Sequence, residues 1–179
     1  YLERLQESND LEVQLQAAKM LYLVGEPVPN NLLRQGLDSG NRDVRAKTAV
    51  LSGLVGYREA TPVLKEMLQD RNGEISGPAA RALARLGDRE IIPRLLTMIG
   101  QLDENKGSAA IFGLIHLGGD EVVEQMKIQL KDAEGKVNFR MVRVLYQLDD
   151  PQGRKLMKQT FEDVPTLKPE AALILAADG

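Results

Sequence analysis

His116 is the only histidine in the chain, and no cysteine accompanies it. A metal centre or a proton relay built on histidine needs further ligating or titrating partners. With none supplied, His116 reads as a polar contact residue. The lack of cysteine excludes disulfides, thiolate nucleophiles and cysteine zinc sites. Two adjacent acid pairs could in principle do general acid–base work. Asp149-Asp150 precedes Pro151 and reads as a turn, and Glu162-Asp163 reads as a helix end. No Gly-Lys-Ser/Thr phosphate loop and no Gly-x-Ser-x-Gly elbow occurs. No catalytic, metal-binding or cofactor-binding residue is therefore assigned. What remains is non-covalent chemistry, carried by cations and a few aromatic rings.

The composition suits a folded domain rather than a membrane or disordered chain. Of 179 residues, 43% are hydrophobic and 27% charged. No apolar run approaches the roughly 18 residues needed to span a bilayer. Net charge is −3, which argues against a general nucleic-acid binder. Tyr1-Leu2-Glu3-Arg4-Leu5 shows no basic region leading into an apolar one, so no signal peptide is read. With no cysteine, the expected location is the cytoplasm. The chain does not begin with Met, and the expectation is a fragment or a processed product.

The elements that carry these residues follow from a repeat. Gly25, Gly56, Gly87 and Gly118 stand 31 residues apart, and the next step lands on Asp149. Other columns keep the frame: Ala18, Ala49, Ala80, Ile111 and Val142; Val24, Val55, Leu86, Leu117 and Leu148; Leu33, Leu64, Leu95, Met126 and Met157. Each unit holds two helices. The long one, about Val44 to Val55, has apolar positions at three- and four-residue steps. Asp43 and Glu74 sit in its first turn, where negative charge meets the helix dipole favourably. The glycine at its end can take positive φ and close it. A shorter helix follows, about Glu59 to Gln69, with Pro62 and Pro93 early in their copies, where a missing N–H costs little. No stretch alternates with period two, so no strand is predicted. The expectation is all-α: about twelve helices in six antiparallel pairs, in one domain spanning 1–179 that continues a longer array. Tyr1–Glu7 matches a short helix, and Pro169–Ala177 the first half of a sixth long one. One pair cannot bury its apolar face alone, but stacked pairs share a core.

Asp43-Val44-Arg45-Ala46-Lys47-Thr48-Ala49, then Leu54-Val55-Gly56, then Ala60-Thr61-Pro62-Val63-Leu64, resembles a HEAT-like repeat of the short bacterial and archaeal type, often called phycobilisome-lyase-like. Glu74-Ile75 with Ala79 to Asp88 and Ile91-Ile92-Pro93 is a second good copy. The resemblance implies a right-handed α-α superhelix and covers nearly the whole chain. There are departures. The Arg of the Val-Arg pair survives only at Arg45, and the first-turn acid becomes Asn105 and Lys136. The frame also disposes of a decoy. Gly118-Gly119-Asp120-Glu121 looks like the signature of cyclic-dinucleotide synthesis, but that chemistry needs a hairpin in an α/β domain. Here the string falls on a helix-to-helix turn.

A helical wheel places four columns of the long helix opposite the core. They are Leu15, Ala46, Gly77, Ser108, Phe139; Gln16, Lys47, Pro78, Ala109, Arg140; Lys19, Val50, Arg81, Phe112, Arg143; and Leu23, Leu54, Arg85, His116, Gln147. By resemblance, this side lines a concave surface that receives partners. The columns hold six cations and no acid. The expected partner-binding set is Lys19, Lys47, Arg81, Arg85, Phe112, His116, Phe139, Arg140, Arg143 and Gln147. Arg and aromatic residues most often dominate interface energy. The competing reading is a solvated face whose charge is answered by first-turn acids Glu12, Asp43 and Glu74. Leu15, Leu23, Val50 and Leu54 have their own alternative, burial between neighbouring long helices. The function expected is a non-enzymatic scaffold or adaptor that holds an acidic or amphipathic protein segment. Two alternatives stand beside it: a tetrapyrrole (phycobilin) lyase or chaperone-like protein, and a nucleic-acid-binding HEAT-like protein.

Overall fold

Four of the long helices share a polar head. Asp10, Asn41, Asn72 and Asp103 stand 31 residues apart, and each side chain accepts a hydrogen bond from a first-turn N–H: Glu12 at 2.8 Å, Asp43 at 2.9 Å, Glu74 at 2.9 Å and Lys106 at 3.0 Å. Such caps satisfy donors that no intrahelical carbonyl can reach, and each is worth about 1 kcal/mol. The tails repeat as well. Gly25, Gly56, Gly87 and Gly118 all have positive φ, and Asp149, the fifth member, keeps that conformation at φ 65° without being glycine. A computed structural model describes residues 8–177. Tyr1–Glu7 and the Asp178-Gly179 turn lie outside the described residues.

Among the described residues there are eleven α-helices, two 3-10 turns and no strand. The chain divides into two units, one ending at Ile91 and the other beginning at Ile92. In the first, the long helices are α1 (Leu11–Leu23), α3 (Arg42–Val55) and α5 (Gly73–Arg85), and the short ones are α2 (Asn30–Leu37) and α4 (Thr61–Met67). The expected Glu59–Gln69 helix begins instead as a 3-10 turn, Arg58–Ala60, before α4 takes over. Pro62 explains the break, because it has no N–H to carry an α-helical bond back into that turn. A second 3-10 turn, Arg89–Ile91, precedes Pro93 in the same way.

One core cluster of the first unit is built from Leu15, Ala18, Leu32, Leu33, Val44 and Leu51. Burying one such leucine contributes about 1.5–3 kcal/mol. α3 and α5 approach very closely: a Cβ on Gly53 would stand 2.5 Å from the Ala82 Cα. Small residues at both positions are what admit this contact. The loops are stapled by polar groups. Lys65 pairs with Asp88 at 3.0 Å and Glu90 at 2.6 Å, and Arg58 donates to the Leu86 carbonyl at 3.1 Å.

The second unit holds α6 (Ile92–Ile99), α7 (Glu104–Leu117), α8 (Asp120–Leu130), α9 (Gly135–Gln147), α10 (Pro151–Asp163) and α11 (Lys168–Ala176). Leu95, Met98, Leu114, Met126, Leu145 and Met157 are fully buried. Gly118 and Gly119, both at positive φ, form the turn into α8, so the Gly-Gly-Asp-Glu string is a helix start. Asp150 caps α10 through Gln152 N–H at 2.9 Å and Gly153 N–H at 3.2 Å, and pairs with Lys127 at 2.8 Å.

Candidate functional site

In the first unit, α1 and α3 lie side by side and leave a groove of about 240 Å³ between them. Its walls are apolar, from Leu15 on α1 and Val50, Leu51 and Leu54 on α3. Gln16, Lys19 and Lys47 stand at its margins. All of these except Leu51 belong to the columns that the helical wheel set opposite the core. Leu15 and Leu51 are buried in its floor, while Val50 and Leu54 are half-buried.

The cations of this face are not uniform. Lys47 donates to the Glu12 carboxylate across the α1–α3 contact. That hydrogen bond raises the Lys47 ammonium above its ordinary value. Lys19 is exposed. Arg81 and Arg85 lie half-buried on α5, one turn apart. Burial, and then the like charge of Arg85, push the Arg81 guanidinium below its ordinary value. No acid stands in the four columns, but first-turn acids reach into them from the neighbouring helix, as the solvated-face reading expected of Glu12.

In the second unit, Phe112 and His116 stack on α7, with ring centroids 5.5 Å apart and planes 13° from parallel. On α9, Arg143 is half-buried and Gln147 exposed. Two members of the expected set are elsewhere. Phe139 and Arg140 are each only 4% exposed, so neither faces an open groove. Phe139 shares a column with Leu15, and both lie within the packing rather than on an open face. Arg140 turns away altogether. Its guanidinium donates to the Gln101 carbonyl, reaches the Ile99 carbonyl at 3.4 Å, and pairs with Glu104 at 3.2 Å. It closes the C-terminal end of α6 and the first turn of α7, and Gly107 leaves the space for it.

A second hollow, about 540 Å³, had no forerunner in the sequence. It lies at the turn end of the repeats, where Tyr22, Glu26 and Val28 face Leu54, Tyr57 and Glu59. Burial, and then a hydrogen bond with Glu59, raise the Tyr57 phenol above its ordinary value. Much of its lining comes from two equivalent loops, in which Glu26, Pro27 and Val28 stand one repeat before Tyr57, Arg58 and Glu59, but the residue types differ at each step, so no uniform column marks it. Among the described residues, no group of acids and histidine is placed to hold a metal ion. Among the described residues, no helix is long and apolar enough to cross a membrane.

The family described as HEAT repeats matches residues 30–106. No match is found among curated proteins. Among solved structures, the complex of CpcE and CpcF of phycocyanin lyase from Nostoc sp. PCC7120 aligns with a TM-score of 0.64 at 22% identity, covering 95% of this chain and 73% of that one. A crystal structure of an engineered protein aligns with a TM-score of 0.57 at 17% identity, covering 97% of this chain and 92% of that one. At these identities the likeness is one of fold.

Proposed function

We propose, starting from the premise that this chain is a HEAT-like repeat protein, that it is a non-enzymatic interaction module that holds a segment of another protein. The groove between α1 and α3 carries the proposal. Leu15, Val50, Leu51 and Leu54 form an apolar channel, and Lys19 and Lys47 flank it. An amphipathic segment would lay its apolar side in the channel and bring carboxylates to the lysines. Arg81 and Arg85 in the first unit, and the Phe112–His116 stack with Arg143 and Gln147 in the second, are further contact residues in this reading. Phe139 and Arg140 are withdrawn from it, because both are buried.

The test is a photo-crosslinking residue at Val50, in full-length protein in its native cells, with an equivalent probe at Lys158 on α10 as control. A protein joined only from Val50 is then made recombinantly. Its affinity is expected to fall at least about tenfold with Lys19→Glu or Val50→Asp, an interface loss of about 1.4 kcal/mol. An affinity unchanged by both substitutions overturns the proposal.

A tetrapyrrole lyase or chaperone role is the second reading, supported by the likeness to the phycocyanin lyase complex. It predicts a shift in bilin absorbance on mixing, and an unaltered spectrum removes it. A nucleic-acid role predicts affinity falling steeply with salt. The Glu12 partner of Lys47 weighs against it, since part of the positive field is already answered within the chain.

A further inference from the structure

We propose that the segment held between α1 and α3 carries its charges in a set order: carboxylates over Lys19 and Lys47, apolar residues along the groove, and an arginine in the hollow at the turn end, beside Tyr22 and Tyr57. This rests on the groove reading above and adds the chemistry of the segment's far end. The groove and the hollow adjoin, because Leu54 lines both. On α1 the passage between them takes one turn: Lys19 stands at the groove's margin, and Tyr22, three residues on, lines the hollow. A segment that continues past Leu54 enters a space of about 540 Å³.

Charge changes sign along that path. Lys19 and Lys47 line the groove, and no acid does. The hollow has two carboxylates, Glu26 and Glu59, against one cation, Arg58, and all three are exposed. Arg58 is already engaged, since its guanidinium donates to the Leu86 carbonyl at 3.1 Å. Arg34 and Asp38, which also bear on Tyr57, oppose one another. The Tyr57 phenol donates to the Glu59 carboxylate, which ties that acid to the hollow's wall. The balance favours a cation entering from outside.

Arginine fits this lining better than lysine. Its planar guanidinium meets a carboxylate with two parallel hydrogen bonds and stacks on an aromatic ring, whereas an ammonium offers a point charge. Tyr22, Val28, Val55 and Tyr57 pack against the core cluster of the first unit. The walls are therefore held in place before anything binds, and little ordering opposes the contact. Lys47 stands two turns before Leu54 on α3, and Glu59 lies beyond it. The two charge sites are thus roughly 10–15 Å apart, or about seven to ten residues of a helical segment at 1.5 Å per residue.

The test places photo-crosslinking residues singly at Val50 in the groove and at Asn30, which is exposed at the hollow, in full-length protein in its native cells. Peptide mapping should join both to one segment of one protein, with the Asn30 crosslink beside an arginine and the Val50 crosslink toward the acidic end. With that partner made recombinantly, Glu26→Gln/Glu59→Gln should weaken binding at least about tenfold. Its thermal melt should be unchanged, because both positions are exposed. Glu26→Arg/Glu59→Arg should weaken binding further, and changing the partner's arginine to glutamate should restore part of the loss. Binding indifferent to the Glu26/Glu59 substitutions overturns the proposal. So does an Asn30 crosslink to a different protein or to a second copy of this chain, or a mapped segment with no arginine at that point. If Lys19→Glu and Val50→Asp weaken binding and the Glu26/Glu59 pair does not, the charge order alone falls. If none of them matters, the groove reading falls with it.

Discussion

The guanidinium of Arg140 occupies the space in which the side chain of residue 107 would stand. A Cβ added to Gly107 would collide with the guanidinium carbon and both terminal nitrogens. Glycine at 107 and arginine at 140 therefore form one device. The first opens a gap in α7, and the second reaches through it to the carbonyls that end α6.

Gly107→Ala is accordingly expected to destabilise the chain by about 1–3 kcal/mol, since the loss of hydrogen bonds to a buried charge outweighs the better helix propensity of alanine. In an Arg140→Ala background the sign should reverse, with Gly107→Ala stabilising by up to about 1 kcal/mol. Urea denaturation of the four proteins in this cycle measures both effects. An additive cycle would sink the pairing.

Asp149 occupies the slot that glycine fills in the four preceding repeats, and it takes left-handed φ there. Such a residue costs about 1 kcal/mol relative to glycine. Its ion pair with Arg154 is exposed and offsets only part of this. Asp149→Gly should therefore raise stability by about 0.5–1 kcal/mol. Gly87→Ala, at the equivalent position one repeat before the Gly118 turn, should lower it by a similar amount. Thermal melts of the two variants give the comparison.

The Asp150–Lys127 pair makes stability pH-dependent. Burial alone would push the Asp150 carboxyl upward, but Lys127 and the N–H groups of Gly153 and Gln152 outweigh it and hold it below its ordinary value. A carboxyl lowered in the folded state contributes stability above its unfolded pKa and loses it as pH falls through the folded one. The loss should begin below about pH 4. Asp150→Asn should be less stable at neutral pH and show a shallower decline on acidification, read from denaturant midpoints across the acid range. A parallel decline in both proteins would exclude this contribution.

Glu12 competes for Lys47 with any acidic partner entering the α1–α3 groove. Glu12→Gln should leave the folded state as stable as before, because the pair is exposed, yet tighten capture of an acidic segment. Titration of the crosslinked partner into the two proteins distinguishes the outcomes.

The two-helix repeat was legible throughout the described residues because its signals are local. Capping side chains, first-turn acids, terminal glycines and helical apolar spacing act within a few residues of their partners, and most of them recur at 31. The groove was legible in part: Leu15, Lys19, Lys47 and Val50 belong to columns that any wheel sets opposite the core. Phe139 and Arg140 were not. A wheel assigns an angle around one helix, and that angle does not reveal whether a neighbouring helix covers it.

The amino-acid sequence by itself determined that this protein is a helical repeat, about where the long helices begin and end, and most of the residues that fill the core. Those are matters of hydrogen bonding and burial along one chain segment at a time. Only the tertiary structure decided which outward residues remain outward. Arg140 turned inward because Gly107, 33 positions earlier, left it room. Lys47 met Glu12 because α1 and α3 lie side by side. Contacts between helices depend on volume and reach in three dimensions, and residue spacing along the chain carries neither.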